Sequence, residues 1–171
     1  MSRIARHAVL AMGAALFAAP ALANDVQVNA IYDRMSAAYA SGDAAALAKV
    51  YAKGALVFPS RANAPWLTGH KSIENGPGNF LATIRKQGGN LRIRFRVTER
   101  FKLTGSVVDA GIYRLSISDA DGKQSVRVGK FMTVAAPQSD GSWAFVADTD
   151  TPMPSEAWSR AVKTGSPKFD E

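Results

Sequence analysis

From Leu91 onward the chain runs as four long stretches rich in β-branched and aromatic residues, each separated from the next by tight-turn residues. Leu91–Leu103 gives way to Thr104-Gly105, Val107–Ser118 to Asp121-Gly122, and Ser125–Ala136 to Ser139-Asp140-Gly141 before Trp143–Asp148. Asp-Gly between two such runs predicts a hairpin with a type I′ turn, in which both central residues take positive φ. Strands that follow the helices, instead of alternating with them, predict an α+β domain whose one curved antiparallel sheet, four- to five-stranded, wraps on three N-terminal helices. Such a sheet closed by helices encloses a cavity.

The first 23 residues read as an export signal. Arg3 and Arg6 form a positive start, Ala8–Ala19 is an apolar run too short to span a bilayer, and Ala21-Leu22-Ala23 is a small-x-small cleavage site. The expected mature chain starts at Asn24, is periplasmic or secreted, and has no stable membrane insertion. Its domain is expected over residues 24–150, with a loosely ordered tail rich in Pro, Ser and charge over 151–171. The chain has no cysteine, so an exported form depends on its apolar core, and thiol chemistry is excluded. The 21 basic and 14 acidic residues favour anionic surroundings in general terms only.

Val28, Ile31, Tyr32, Met35, Ala38 and Tyr39 recur at three- and four-residue spacing and predict a helix over Asp25–Ser41. Gly42 closes it, and Asp43 caps a second helix from Ala44 to about Ala52, with Leu47, Val50 and Tyr51 inward. Leu56-Val57-Phe58 is a short strand stopped by Pro59. A loop with Pro65 and Trp66 leads to a third helical segment from Lys71. It is interrupted at Gly76-Pro77-Gly78, resumes through Phe80, Leu81 and Ile84, and closes at Gly88-Gly89.

The run from Ala40 to Ala52, built around Gly42-Asp43, resembles the helix–Gly-Asp–helix opening of SnoaL-like domains in the nuclear-transport-factor-like, cystatin-like cone superfamily. Gly69-His70-Lys71-Ser72-Ile73 is similar to the start of that family's third helix. Gly129–Val134, with Asp140–Asp148, resembles its last hairpin. The likeness covers about Val26 to Asp150. It implies a cone with a pocket roofed by helices and the Pro-rich loop, binding a small molecule without metal or cofactor, and a homodimer packed through the outer sheet face. The superfamily hosts isomerases, cyclases, dehydratases and non-enzymatic modules, so the fold does not select among them. After Asp148 such sequences often carry an aromatic residue or His; here stand Thr149, Asp150, Thr151 and Pro152.

Enzymes of this shape set a carboxyl group against apolar walls, where burial raises its pKa toward neutrality. Asp148, closing the apolar Trp143–Ala147 run, is the first catalytic candidate, and Asp150 shares its face of an extended strand. Glu99 stands in the apolar row of Ile93, Phe95, Val97, Phe101 and Leu103. It either lines the cavity, pairs with a buried cation, or is turned outward by a β-bulge. His70 is the sole histidine after cleavage. It can carry a proton but cannot assemble a multi-histidine metal site.

The expected ligand-contacting aromatics are Tyr32, Tyr51, Trp66 and Phe80 from the roof and Tyr113 and Phe131 from the sheet. Arg92, Arg94, Arg96 and Arg100 are expected on the opposite, solvated face of the first long strand, paired with neighbours such as Asp109. No aromatic residues interleave with them there, which argues against a nucleic-acid partner. Three functions remain open: a small-molecule binder, a cofactor-free isomerase, cyclase or dehydratase using a pocket acid, and a dimeric interaction module. Two acids facing an enclosed apolar pocket would favour the enzyme. A pocket filled by Trp66, Phe80 and Tyr51 would favour the module.

Overall fold

The computed structural model describes residues 25–61 and 63–161, and the backbone of 168–169; the segment read as an export signal lies outside the described residues. Helix α1 spans Asp25–Ser41 as its stripe predicts, burying Val28, Ile31, Tyr32, Met35 and Ala38. Gly42 at φ 70° ends it, with the Gly42 and Asp43 amides donating to the Tyr39 and Ala38 carbonyls. The Asp43 side chain accepts the Ala46 amide at 2.9 Å and opens α2.

Helix α2 stops at Ala48, and Tyr51–Phe58 is strand β1 instead of a helix end and a short strand. Tyr51, Val57 and Phe58 favour the pleated surface, and the Phe145 amide donates to the Val50 carbonyl and draws the chain into the sheet. Strand β2 (Leu67–Thr68) pairs back onto β1. Helix α3 (Gly69–Ile73), a π-helical turn (Glu74–Gly78) and α4 (Asn79–Lys86) then form one broken helical arm, widened where Pro77 removes a backbone donor.

The long strands are β3 (Asn90–Leu103), β4 (Ser106–Ser118), β5 (Gln124–Pro137) and β6 (Trp143–Met153), which runs past the expected end at Asp148. Helix α5 (Glu156–Arg160) and β7 (Lys168–Phe169) follow. Sheet order is β2-β1-β6-β5-β4-β3-β7. The sheet is therefore wider than expected and mixed, because β1 runs parallel to β6. The turn at Asp121-Gly122 also differs from type I′. Only Gly122 has positive φ, and the Asp119 side chain accepts the amides of Asp121 and Lys123, building a longer loop.

Two β-bulges decide which side chains face the helices. In β3, Val97 pairs with Gly111 and Glu99 with Ala110, so Thr98 is the extra residue. The inward row Leu91, Ile93, Phe95, Val97 then passes to Arg100, while Phe101 and Leu103 become exposed. Arg100 thus sits inside, not on the expected outer face. In β6, Phe145 pairs with Ala135 and Ala147 with Val134, which makes Val146 the extra residue. Phe145 faces the core, and after the shift Asp148 and Asp150 face the same way.

Asp109 is 1% exposed and would be costly to bury alone. Arg100 grips it with two hydrogen bonds, Nε at 2.8 Å and a terminal nitrogen at 2.7 Å, and the Tyr32 hydroxyl donates to it at 2.9 Å. The other Arg100 terminal nitrogen reaches Asn29 and Asp25 at 2.8 and 3.0 Å, so α1 is tied to β3 and β4 by one polar cluster. Replacing Asp109 with Ala leaves the Arg100 charge buried without its main partner. The expected loss is about 3–5 kcal/mol in chemical denaturation. A loss below about 1 kcal/mol would show that the cluster does not hold the helix.

Candidate functional site

Between α1, α4 and the concave face of the sheet lies a cavity of about 250 Å³. Its walls are Phe95, Phe131 and Phe145 with Ile93, Leu115 and Met35, and Phe80 of α4 stands over it. Helix α1 contributes Tyr32, Met35 and Tyr39, which recur along one face of the helix. The sheet makes room for the rings through missing side chains. A Cβ at Gly129 would fall 2.5 Å from the Tyr113 ring, and one at Gly111 would fall 2.9 Å from Phe131.

Polar groups gather on one side. The Tyr51 hydroxyl donates to Asp148 at 2.7 Å, and the Tyr113 hydroxyl donates to Asp150 at 2.9 Å. Burial pushes the Asp148 carboxyl up to about 6. The Tyr51 hydrogen bond pulls it down and the negative charge of Asp150 raises it again. Burial, and then the charges of these two acids, push Tyr39 and Tyr51 up; Tyr113 is raised by burial and Asp150. All three therefore remain neutral hydrogen-bond donors around neutral pH. Such a site can take up or release a proton at Asp148 while orienting a polar ligand atom through a phenol.

The structure places Asp148, Tyr32, Tyr51, Phe80, Tyr113 and Phe131 together on this cavity. Three other candidates stand elsewhere. Glu99 is exposed, turned out by the Thr98 bulge. His70, at the start of α3, is bound through Nε2 to the Tyr51 carbonyl at 2.7 Å and does not line the cavity. Trp66 is 66% exposed and meets Phe58 edge-on outside it, because β2 folds back on β1 and carries the Pro-rich loop outward.

Tyr39, Ser60, Arg127 and Thr133 line the cavity without having been singled out from sequence. Arg127 and Thr133 do share the period-two face of Phe131, which is a readable signal. Among the described residues no three His, Cys, Asp or Glu side chains cluster as metal ligands would.

No protein-family model matches the chain, and no curated protein matches it either. Solved structures do. An NTF2-like protein with a cystatin-like fold from Novosphingobium aromaticivorans superposes with a TM-score of 0.63 at 13% identity, over 79% of this chain and 85% of that one. The fold is the cystatin-like cone. A second cone, from Catenulispora acidiphila and in complex with S-DNPA, gives 0.63 at 13% identity over 74% of this chain and 91% of that one. A third, from Xanthomonas campestris and named after a calcium/calmodulin dependent protein kinase II association domain, is 28% identical. It spans 81% of this chain and 94% of its own, with a TM-score of 0.58. Likeness to structures so diverse in name shows the frame and does not fix the chemistry of the cavity.

The raised pKa of Asp148 has a signed consequence for stability. The folded chain holds its proton up to about pH 6, the unfolded chain only to about 3.8. Stability from this group is therefore complete below pH 4 and is lost as pH rises to 6, by at most about 3 kcal/mol. Asp148→Asn should be relatively more stable at pH 7 than at pH 4, and Tyr51→Phe should raise the Asp148 pKa further. Carboxyl-carbon NMR titration reads the pKa directly, and a value near 3.9 would remove the burial argument.

Proposed function

We propose that the cavity binds a small organic molecule with an apolar, ring-sized body, and that Asp148 exchanges a proton with it without any cofactor. The carrying observation is that Asp148 and Asp150 both face one aromatic-walled cavity, each held by a tyrosine hydroxyl. Two acids in that position are the feature expected to favour an enzyme over a passive binder. With its pKa near 6, Asp148 is ionised at pH 7 and basic enough to accept a proton, and once protonated it is acidic enough to return it. Tyr39, which has no hydrogen-bonding partner among the described residues, is free to donate to a ligand carbonyl. The aromatic walls exclude water from that exchange.

A test is deuterium incorporation into 2-tetralone, an enolisable aromatic ketone. Catalysed exchange should rise with pH through about 6 and level off. Asp148→Asn should lower it by about 10²–10⁴-fold while leaving affinity within a few-fold. Binding without catalysed exchange would reduce the protein to a binder, and absence of binding would overturn both parts.

The chain is also proposed to form a homodimer through the outer sheet face. Cross-strand pairing aligns Phe101, Val108, Val134 and Ala147 in one apolar row there, flanked by Leu103 and the half-exposed Met132. The far end of that face is covered, since Arg96 lies 4.2 Å over the Trp158 ring of α5. Sedimentation at micromolar concentration should give twice the chain mass and Val134→Glu should give the monomer. A wild-type monomer would end the proposal.

A further inference from the structure

Every charged side chain deep on the concave face has a partner: Arg100 has Asp109, Asp148 has Tyr51, and Asp150 has Tyr113. Arg127 is different. It lines the cavity, yet among the described residues no hydrogen bond or ion pair engages its guanidinium, which lies 5.6 Å above the Phe80 ring. It is also exposed, at the start of β5, two positions before Gly129 and beside Leu115. Arg127 and Phe80 therefore frame the mouth from opposite sides, one from the sheet and one from the roof.

The acids stand further in. Asp150 pairs with Phe131 and Asp148 with Thr133, so Asp148 is separated from Arg127 by about 20 Å of strand, at about 3.4 Å per residue. The long arginine side chain shortens that gap without closing it. Polarity is thus graded along the cavity: carboxyls and phenols inside, aromatic walls in the middle, and at the opening Arg127, without a hydrogen bond or ion pair among the described residues.

We infer that Arg127 makes the site selective for anionic ligands, specifically flat aromatic or conjugated molecules carrying a carboxylate. The carboxylate sits on the guanidinium at the mouth and the neutral end reaches toward Asp148. An arginine suits this because its planar fork binds a carboxylate through two parallel hydrogen bonds, and its place 5.6 Å over the Phe80 ring sets it beside the apolar wall that a flat ligand body would meet. A neutral ligand of the same shape gains only the walls. Asp148 stands about 20 Å of strand from the ligand's charge, and the nearer Asp150 has its own charge held by the Tyr113 hydroxyl. The inference rests on the small-molecule reading of the cavity but not on proton transfer.

The test uses isosteric pairs: benzoate with benzamide, cinnamate with cinnamamide, 2-naphthoate with 2-naphthamide, titrated into the full chain by calorimetry or NMR at pH 7. The carboxylates should bind roughly tenfold more tightly than their amides, with a gap that narrows as salt is added. Arg127→Gln should abolish the gap while leaving amide affinity within about twofold, and Arg127→Lys should keep part of it. Equal affinity within each pair, or a gap that survives in Arg127→Gln, overturns the inference and leaves the cavity's function standing. Failure of all six probes to bind overturns the small-molecule reading and this inference with it.

Discussion

The structure depends on a charge placed where charges are expensive. Asp109 is almost wholly buried on β4, an inner strand of the sheet, and an unpaired carboxylate there would not be tolerated. Its partners come from three directions: Arg100 from β3, Tyr32 from α1, and through Tyr32 the hydroxyl of Thr133 on β5 at 2.9 Å. Satisfying one acid therefore fixes the distance between the first helix and three strands. Tyr32 and Thr133 are also cavity walls, so the cluster that locates α1 also sets the cavity's inner end.

That cluster exists only because β3 carries one residue too many. Without the Thr98 bulge, strict alternation would turn Arg100 to solvent and bring Glu99 inward. The bulge at Val146 does the same in β6, where alternation from Phe145 would send Asp148 outward. A bulge costs one unpaired residue and bends the strand, and each of these two sets a charged side chain on the concave face.

This also marks the limit of what could be read from the sequence. Helix α1, its Gly42 stop, the Asp43 cap and the four long strands follow from local patterns, because spacing and turn chemistry act within a few residues. The aromatic lining at Tyr32, Phe80, Tyr113 and Phe131 was legible through the resemblance to a helix-roofed cone; ring size alone does not decide it, since Trp66 and Phe101 stand exposed. The switch from α2 to β1 was not, because Val50 and Tyr51 continue a helical pattern and only pairing with β6 draws them into the sheet. The two bulges, at Thr98 and Val146, carry no glycine that would mark them. The site of Arg100 and the exposure of Glu99 depend on strand pairing that no single strand declares. Trp66 was misplaced for a related reason: the path of its loop is set by the pairing of β2 with β1.

Gly129 and Gly111 have a consequence for how such a cavity changes over evolutionary time. Neither is a cavity wall in its own right, yet each is the floor on which an aromatic ring rests. A single methyl group added at Gly129 would lift the Tyr113 ring off the sheet and carry the hydroxyl that holds Asp150 with it. The dimensions of the chamber and the aim of one of its acids are therefore adjustable from a backbone position that touches no ligand. A lineage could retune what it accepts by gaining or losing one carbon beneath a ring, with every lining side chain unchanged.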